Sequence, residues 1–238
     1  MWHASVAAFA TAEAPLRALL DAAEHERCAL FHFDADRTRY AIAHGLLRLL
    51  VGHYVGMAAG ALRFAEGEFG KPALAPGTAR PVSFNLSHSG DLVLIAIAQS
   101  GDVGVDVERW SDRLDTDLLR LAEFAFSTAE HAAVRACDAA SRRALFFDVW
   151  ARKEAYIKAR GHSVAAGLAH FDVPAEPGDP RPVTDRSRTA DEAPWWLHDL
   201  APGDGYSAAL AVDRPGVRVI ALAATPALVP AMMAPADG

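Results

Sequence analysis

Two acidic residues stand two positions apart in the segment Gly104-Val-Asp-Val-Glu108. Because side chains two apart on a β-strand point to the same face, Asp106 and Glu108 are expected side by side, with Val105 and Val107 facing the core. Two adjacent negative charges favour a cation between them, and oxygen ligands suit Mg²⁺. The pair therefore indicates a divalent-metal site, and a solvated pair of acids at a strand end is the alternative.

A second polar group lies on the predicted helix Ala139–Arg160. Trp150, Glu154 and Lys158 are four positions apart and share one face, with Lys153 beside it. Glu154 and Lys158 alone would form an ordinary helix ion pair, worth about 0.3–0.5 kcal/mol. The functional interpretation makes Glu154 a third metal-binding carboxylate and makes the two lysines phosphate ligands.

Lysine is rare, and its positions coincide with these motifs. Lysine and arginine together number 23, but the lysines are Lys71, Lys153 and Lys158 alone. Three positions therefore keep the compact ammonium where most others carry the planar guanidinium. They indicate phosphate ligands, with chance survival as the alternative.

Three further groups have both a structural and a functional interpretation. Ser127 with Glu130 is the pattern of a helix capping box, and a supporting role for Glu130 near the metal is the alternative. The segment Asn85–Ser89 predicts a polar loop that carries Ser87 and His88. A third group consists of basic residues and has two interpretations, a solvated basic face or a pocket for a phosphorylated ligand. Its members are Arg27, Arg37, Arg39, Arg48 and Lys71.

Composition excludes several classes of protein. The 238 residues are 52% hydrophobic, which is typical of a globular protein, and the net charge of −7 argues against a nucleic-acid coat. Cys28 and Cys137 form no CxxC pair, which favours a reducing cytoplasm over a disulfide scaffold or a zinc cluster. We expect no signal peptide, and no membrane span because prolines interrupt the uncharged stretch Val219–Ala236.

Hydrophobic periodicity predicts the elements that position the motifs. The predicted helices are Asp36–Met57, Asp117–Ala125, Thr128–Cys137 and Ala139–Arg160, and the predicted strands are Val82–Leu86, Leu92–Ala98, Val103–Val107, Trp195–His198, Tyr206–Val212 and Val217–Leu222. Ser100-Gly101-Asp102 predicts a hairpin, and Ala96–Val107 resembles Ala209–Ile220. We therefore expect an α+β fold of two similar halves, 1–102 and 103–238, related by a pseudo-twofold axis. Each half is expected to be a small antiparallel sheet packed against a long helix.

Taken in order, the motifs resemble those of the 4'-phosphopantetheinyl transferase superfamily, in its larger, surfactin-synthetase-activating type. The motifs are FGKP (Phe69–Pro72), NLSHS (Asn85–Ser89), GVDVE (Gly104–Glu108), FSTAE (Phe126–Glu130) and WARKEAYIK (Trp150–Lys158). The resemblance covers about Leu16 to Val212, and the combination of GVDVE with WxxKEAxxK is its most specific part.

This resemblance implies a monomeric enzyme that binds coenzyme A in the cleft between its two halves. Such enzymes transfer 4'-phosphopantetheine from coenzyme A to a serine of an acyl, peptidyl or aryl carrier protein and release adenosine 3',5'-bisphosphate. The implied setting is nonribosomal peptide or polyketide biosynthesis in the cytoplasm, with no nucleic acid or membrane as partner.

Matching motif positions imply a role for each candidate. Asp106, Glu108 and Glu154 are implied to hold Mg²⁺, or Mn²⁺, against the pyrophosphate of coenzyme A. Glu154 is also the implied base for the incoming serine, which makes Glu154, Lys158 and Asp106 the catalytic residues. Lys153 and Lys158 are implied to neutralise the pyrophosphate.

The 3'-phosphate and adenosine end has its own implied ligands. They are Arg27, Arg39, Lys71, Ser87 and His88. The sequence departs from the family pattern at Glu24, where members of the family carry a second basic residue. Arg37 and His25 are the candidates to replace it.

Two other functions fit the same acids. A Mg²⁺-dependent pyrophosphatase or nucleotide hydrolase would use them with water, and incubation with coenzyme A alone would identify it by the release of bisphosphate. A non-catalytic coenzyme A-binding module would lack part of the triad Asp106, Glu108 and Glu154, which is complete here.

Carrier proteins are usually acidic, as this chain is, so docking requires a local apolar or basic patch. Leu118, Leu119, Phe124 and Phe126 are more apolar residues than one short helix can bury, and Arg120 adds a positive charge. We expect one or two of them to be exposed and to contact the carrier, with burial of all of them in the core as the alternative.

Overall fold

The computed structural model describes residues 1–67, 71–78, 81–111, 117–161, 168–178, 180–189 and 192–234. The helices are α1 (Glu13–Arg17), α2 (Ala22–Ala29), α3 (Asp34–Val55), α4 (Leu118–Ala125), α5 (Thr128–Ala136), α6 (Ala139–Arg160) and α7 (Leu228–Met233). The strands are β1 (Trp2–Ser5), β2 (Phe64–Glu66), β3 (Pro72–Leu74), β4 (Ser83–Ser89), β5 (Leu92–Ala98), β6 (Val103–Arg109), β7 (Phe171–Asp172), β8 (Arg181–Pro182), β9 (Thr184–Asp185), β10 (Trp196–Leu200), β11 (Tyr206–Val212) and β12 (Leu222–Ala223). The predicted α+β class is confirmed.

The first of two compact units comprises the described parts of 1–66, 72–100 and 219–238. Its strands form a sheet in the order β12-β1-β5-β4, in which β12 runs parallel to β1 and the other pairs are antiparallel. The helix α3 buries an apolar face and ends at Gly56 in the left-handed conformation. Helix and sheet share a core that includes Ile42, Leu46, Leu50, Phe84 and Ile95.

The second unit comprises the described parts of 67–71 and 101–218. Its sheet has the strand order β6-β11-β10-β8 with antiparallel pairing, and α6 packs against β6 and β11. The side chain of Asp138 accepts backbone N–H groups of the first turn of α6, and Gly161 ends the helix. Val149, Ala155 and Ala211 belong to the core of this unit.

The predicted hairpin at Ser100-Gly101-Asp102 is wrong. The strand β5 pairs with β1 and β4, whereas β6 pairs with β11, so the two strands lie in different sheets. The backbone N–H of Asp102 donates to the Asp213 carboxylate at 2.9 Å, which ties the turn to the end of β11 instead. The chain passes from the first unit to the second at this turn.

The predicted loop Asn85–Ser89 is part of a strand. The strand β4 continues to Ser89 and pairs with β5 along its whole length, with Ser87 opposite Leu94 and His88 opposite Val93. The apolar run of β5 offers a complete ladder of backbone partners, which outweighs the polar character of the NLSHS segment.

The C-terminal segment returns to the first unit. Within the segment Val217–Leu222, predicted as a strand of the second half, regular pairing begins at Leu222, and that pairing is with β1. The N-terminal ammonium of Met1 donates to the Ile220 carbonyl at 2.8 Å, and Val229 is buried in the first core. The observed units therefore differ from 1–102 and 103–238, and the pseudo-twofold axis stays a prediction.

Among the described residues, no helix combines the length and the apolar character that crossing a membrane requires.

Candidate functional site

Asp106 and Lys158 form an ion pair between the strand β6 and the helix α6 of the second unit. Asp106 lies on β6 and is 1% exposed, and the Nζ of Lys158 lies 2.5 Å from its Oδ1. Burial acts to lower the pKa of Lys158, but Asp106, followed by Glu154 and Glu108, raises it by more, so the ammonium form is favoured. The structure therefore places Lys158 against Asp106, with Glu154 and Glu108 near enough to act on it electrostatically.

Glu154 is a buried carboxyl group whose pKa is raised. It lies on α6, four residues before Lys158, and is 8% exposed. Burial raises its pKa, the neighbouring Asp106 carboxylate raises it further, and Lys158 opposes both. A carboxylate with a raised pKa binds a proton more readily near neutral pH, which suits a general base.

The charges of this cluster fit a divalent cation. The carboxylates of Asp106, Glu108 and Glu154 all act electrostatically on the ammonium of Lys158, so several oxygen donors lie near one lysine. Within the described ranges, no three His, Cys, Asp or Glu side chains already converge as a complete metal site. Mg²⁺ needs no such cage, because it is commonly held by one or two carboxylates together with phosphate oxygens and water. The donor set therefore fits Mg²⁺.

Lys153 lies elsewhere, although it is next to Glu154 in the chain. Its side chain is fully buried, and its Nζ lies 2.8 Å from Glu130 Oε2. The same ammonium donates to the Leu168 carbonyl at 2.8 Å and to the Phe171 carbonyl at 2.7 Å. All three donors of Lys153 are therefore in use and its side chain has no exposed surface, so the pyrophosphate role implied by its motif position stays a prediction that these contacts do not favour.

Lys71 is near the C-terminal end of α6. Its Nζ donates to the Ala159 carbonyl at 2.8 Å and lies 3.7 Å from Asp102 Oδ1. Burial lowers the pKa of Lys71, and Asp102 partly offsets that effect. Phe69 and Gly70 of the same FGKP motif lie outside the described residues. The role of Lys71 at the 3'-phosphate stays a prediction.

The other predicted ligands of the 3'-phosphate belong to the first unit. Arg27 is exposed on the last turn of α2, and Arg39 on α3 is ion-paired with Asp36. Ser87 is buried on β4, and the next residue, His88, is half-buried. Their roles stay predictions.

Glu24, which departs from the family pattern, has a structural role. It forms a capping box with Asp21 at the start of α2. Its Oε2 accepts a hydrogen bond from Arg48 Nε at 2.5 Å, and its Oε1 lies 3.5 Å from His44 Nδ1. Arg48 is fully buried and also pairs with Asp21, so it belongs to neither a solvated face nor an open pocket. The guanidinium of Arg37 is likewise engaged, by Asp34 and the Phe31 carbonyl.

A hydrogen-bonded chain near Glu108 was not evident from the motifs. Trp110 Nε1 donates to Ser207 Oγ at 2.9 Å, and Ser207 Oγ donates to Asp148 Oδ1 at 2.5 Å. Ser207 lies opposite Glu108 in the sheet, and Asp148 lies on α6. These two hydrogen bonds thus connect the end of β6, which carries Glu108, to α6, which carries Glu154, through β11. In the sequence, the one feature that could have indicated these hydrogen bonds is the serine at position 207 within the otherwise apolar strand β11.

The helix α4 presents one large apolar side chain to solvent. Phe124 is 90% exposed, whereas Leu118 and Phe126 are each 3% exposed and belong to the core. Leu119 is partly buried against the same core, and Arg120 is exposed. The expectation of one or two exposed residues is confirmed for Phe124.

Comparisons with known proteins agree with these motifs. The family model described as 4'-phosphopantetheinyl transferase superfamily matches residues 102–211, and the one described as 4'-phosphopantetheinyl transferase, N-terminal, matches residues 1–100. The 4'-phosphopantetheinyl transferase HetI of Nostoc sp. is 34% identical over 198 residues, which cover 83% of this chain and 80% of that protein. The 4'-phosphopantetheinyl transferase AcpT of Escherichia coli is 42% identical over 97 residues, 41% of this chain and 48% of that protein. A 4'-phosphopantetheinyl transferase of Bacillus subtilis is 28% identical over 159 residues, 66% of this chain and 67% of that protein.

Proposed function

The chain belongs to the 4'-phosphopantetheinyl transferase superfamily, and from that premise we propose that it transfers 4'-phosphopantetheine from coenzyme A to a serine of a carrier protein. The observation that carries this proposal is the cluster of the buried Asp106 and Glu154 with the half-buried Lys158, which lies within the matched residues 102–211. Its carboxylates suit a divalent cation and its ammonium suits the pyrophosphate that the cation would accompany.

The proposed reaction is a displacement at phosphorus. The serine oxygen bonds to the phosphorus that carries the pantetheine arm, and the bond from that phosphorus to the bridging oxygen of the pyrophosphate breaks. Adenosine 3',5'-bisphosphate leaves with the electron pair of that bond. Glu154 accepts the serine proton, for which its raised pKa is suited, and Lys158 stabilises negative charge on the phosphate oxygens.

Asp106, Glu108 and Glu154 would hold Mg²⁺, or Mn²⁺, in this proposal. The cation would neutralise the negative charge that develops on the phosphate oxygens. Arg27, Arg39, Lys71, Ser87 and His88 are proposed for the 3'-phosphate and adenosine from their motif positions.

The proposed partner is an acyl or peptidyl carrier protein, docked on α4 around Phe124. An aromatic side chain that is 90% exposed is a suitable anchor for an apolar pocket of a partner. Arg120 on the same helix is exposed and offers a positive charge to an acidic carrier.

We propose a monomer that acts in the cytoplasm on carrier proteins of nonribosomal peptide or polyketide biosynthesis. The free thiols of Cys28 and Cys137 support a reducing compartment.

Mass spectrometry of apo carrier proteins incubated with coenzyme A, Mg²⁺ and the protein tests the proposal. We expect the gain of one phosphopantetheine on a carrier serine, together with release of adenosine 3',5'-bisphosphate. Release of bisphosphate without any carrier protein would instead indicate a pyrophosphatase or nucleotide hydrolase.

A further inference from the structure

Lys153 and Glu130 form an ion pair inside the second unit. Lys153 is 0% exposed and Glu130 is 2% exposed. The ammonium of Lys153 uses its three donors on Glu130 Oε2 at 2.8 Å, the Leu168 carbonyl at 2.8 Å and the Phe171 carbonyl at 2.7 Å. A phosphate oxygen could bind this lysine only by displacing one of these partners.

The Glu130 carboxylate is occupied in the same way. Its Oε2 also accepts the backbone N–H of Ser127 at 2.8 Å, and its Oε1 accepts the backbone N–H of Val173 at 2.7 Å. One ion pair therefore joins the start of α5, the segment 168–173 and the helix α6. The pair therefore links, by hydrogen bonds as well as by charge, three segments that are separated in the sequence.

The pair acts on α6 at the turn that carries Glu154. Lys153 and Ala155 are two residues apart on the helix, which places them on nearly opposite sides of its axis. A Cβ on Gly104 of β6 would lie 2.2 Å from the Ala155 carbonyl oxygen, so the backbone of α6 is in direct contact with β6 on that side. The helix is thus held at Ala155 by the sheet and at Lys153 by the buried ion pair.

We propose that Lys153 and Glu130 are positioning residues, which fix the rotation of α6 and so direct the Glu154 carboxylate toward Asp106. Lys153 acts through the helix and is not a ligand of the pyrophosphate. The kinetic test of this inference rests on the proposed function, because it measures transfer of phosphopantetheine.

A double-mutant cycle of Lys153→Met, Glu130→Gln and the combined variant tests the pair. Each single change leaves a buried polar partner without its counterion, whereas the double variant leaves neither charge. We therefore expect the Tm of the double variant to fall by less than the sum of the two single losses. In the folded double variant we expect kcat to fall about tenfold to a hundredfold, because Glu154 is misdirected, while the KM for coenzyme A stays at the parent value.

The matched control is Lys158→Met, a second lysine removed from the same helix. Its loss of Tm should add to that of Glu130→Gln without coupling. Additive Tm losses for Lys153 and Glu130, or a parental kcat in the folded double variant, would overturn the inference. So would weaker coenzyme A binding by Lys153→Met at unchanged Tm, because that is the behaviour of a ligand.

If the parent protein shows no transfer activity, the proposed function is rejected, but the positioning role of Lys153 and Glu130 can still be tested by spectroscopy. The ¹⁵N chemical shift of Lys158 Nζ reports the contact with Asp106 Oδ1, which depends on the orientation of α6. A changed shift in the folded double variant supports the positioning role, and an unchanged shift overturns it.

Discussion

A Cβ at Gly104 would lie 2.2 Å from the carbonyl oxygen of Ala155, so the strand β6 and the helix α6 meet backbone to backbone. Two residues further along β6, Asp106 lies 2.5 Å from the Nζ of Lys158 on the same helix. Because a side chain at position 104 would push β6 and α6 apart, the glycine allows the short distance between the two groups.

Gly104→Ala is expected to destabilise the protein and to reduce transfer. The methyl group meets backbone atoms and not a flexible side chain, so β6 and α6 must separate. Overpacking of this kind costs about 1–3 kcal/mol of the free energy of unfolding. Urea unfolding measures the change. Gly60→Ala is the control, because a Cβ at Gly60 has no neighbour within 4 Å, and equal stability of the two variants would contradict this account.

Asp106→Asn is expected to abolish metal-dependent transfer while the fold persists. The amide keeps the shape of the side chain but removes a carboxylate that is proposed to bind the metal. Lys158 keeps a side-chain exposure of 31%, through which it can be hydrated. We expect a loss of transfer of at least about a hundredfold, measured by carrier-protein mass spectrometry, with unchanged circular dichroism. The exposed Asp204→Asn is the control. Full activity of folded Asp106→Asn would reject the metal assignment.

Lys158→Arg is expected to reduce transfer although the positive charge remains. A guanidinium is planar and larger than an ammonium, so it can still pair with Asp106 but does not place the same compact charge at the phosphate oxygens. Measured kcat should decrease in the order parent, Lys158→Arg, Lys158→Met. If the kcat of Lys158→Arg equalled that of the parent, a positive charge alone would suffice for transfer. The presence of lysine at this position would then have no chemical explanation.

Local patterns in the sequence predict much of the site. Ser127 and Glu130 form the predicted capping box, because both partners lie within one helical turn. Asp106 is on the predicted strand, and Glu154 and Lys158 share the predicted helix, because alternation and helical spacing are also local properties. These features follow from backbone geometry alone.

Partners from distant segments could not be predicted in this way. Lys153 differs from Lys158 by its burial, which depends on the carbonyl groups of Leu168 and Phe171. The pairing of β12 with β1 likewise joins the two ends of the chain. Spacing along one element specifies a face of that element but not the segment that covers it.

Phe124→Ala is expected to weaken use of the carrier protein without affecting coenzyme A. The side chain is 90% exposed, so its removal costs little core packing and the Tm should stay at the parent value. Loss of an aromatic anchor at an interface typically costs 1–2 kcal/mol or more, so the carrier KM should rise about tenfold. Steady-state kinetics with each substrate varied in turn measures both KM values. Leu30→Ala is the matched control, since Leu30 is an apolar side chain of the first unit that is 84% exposed. An unchanged carrier KM, or an equal rise in the KM for coenzyme A, would place the docking surface elsewhere.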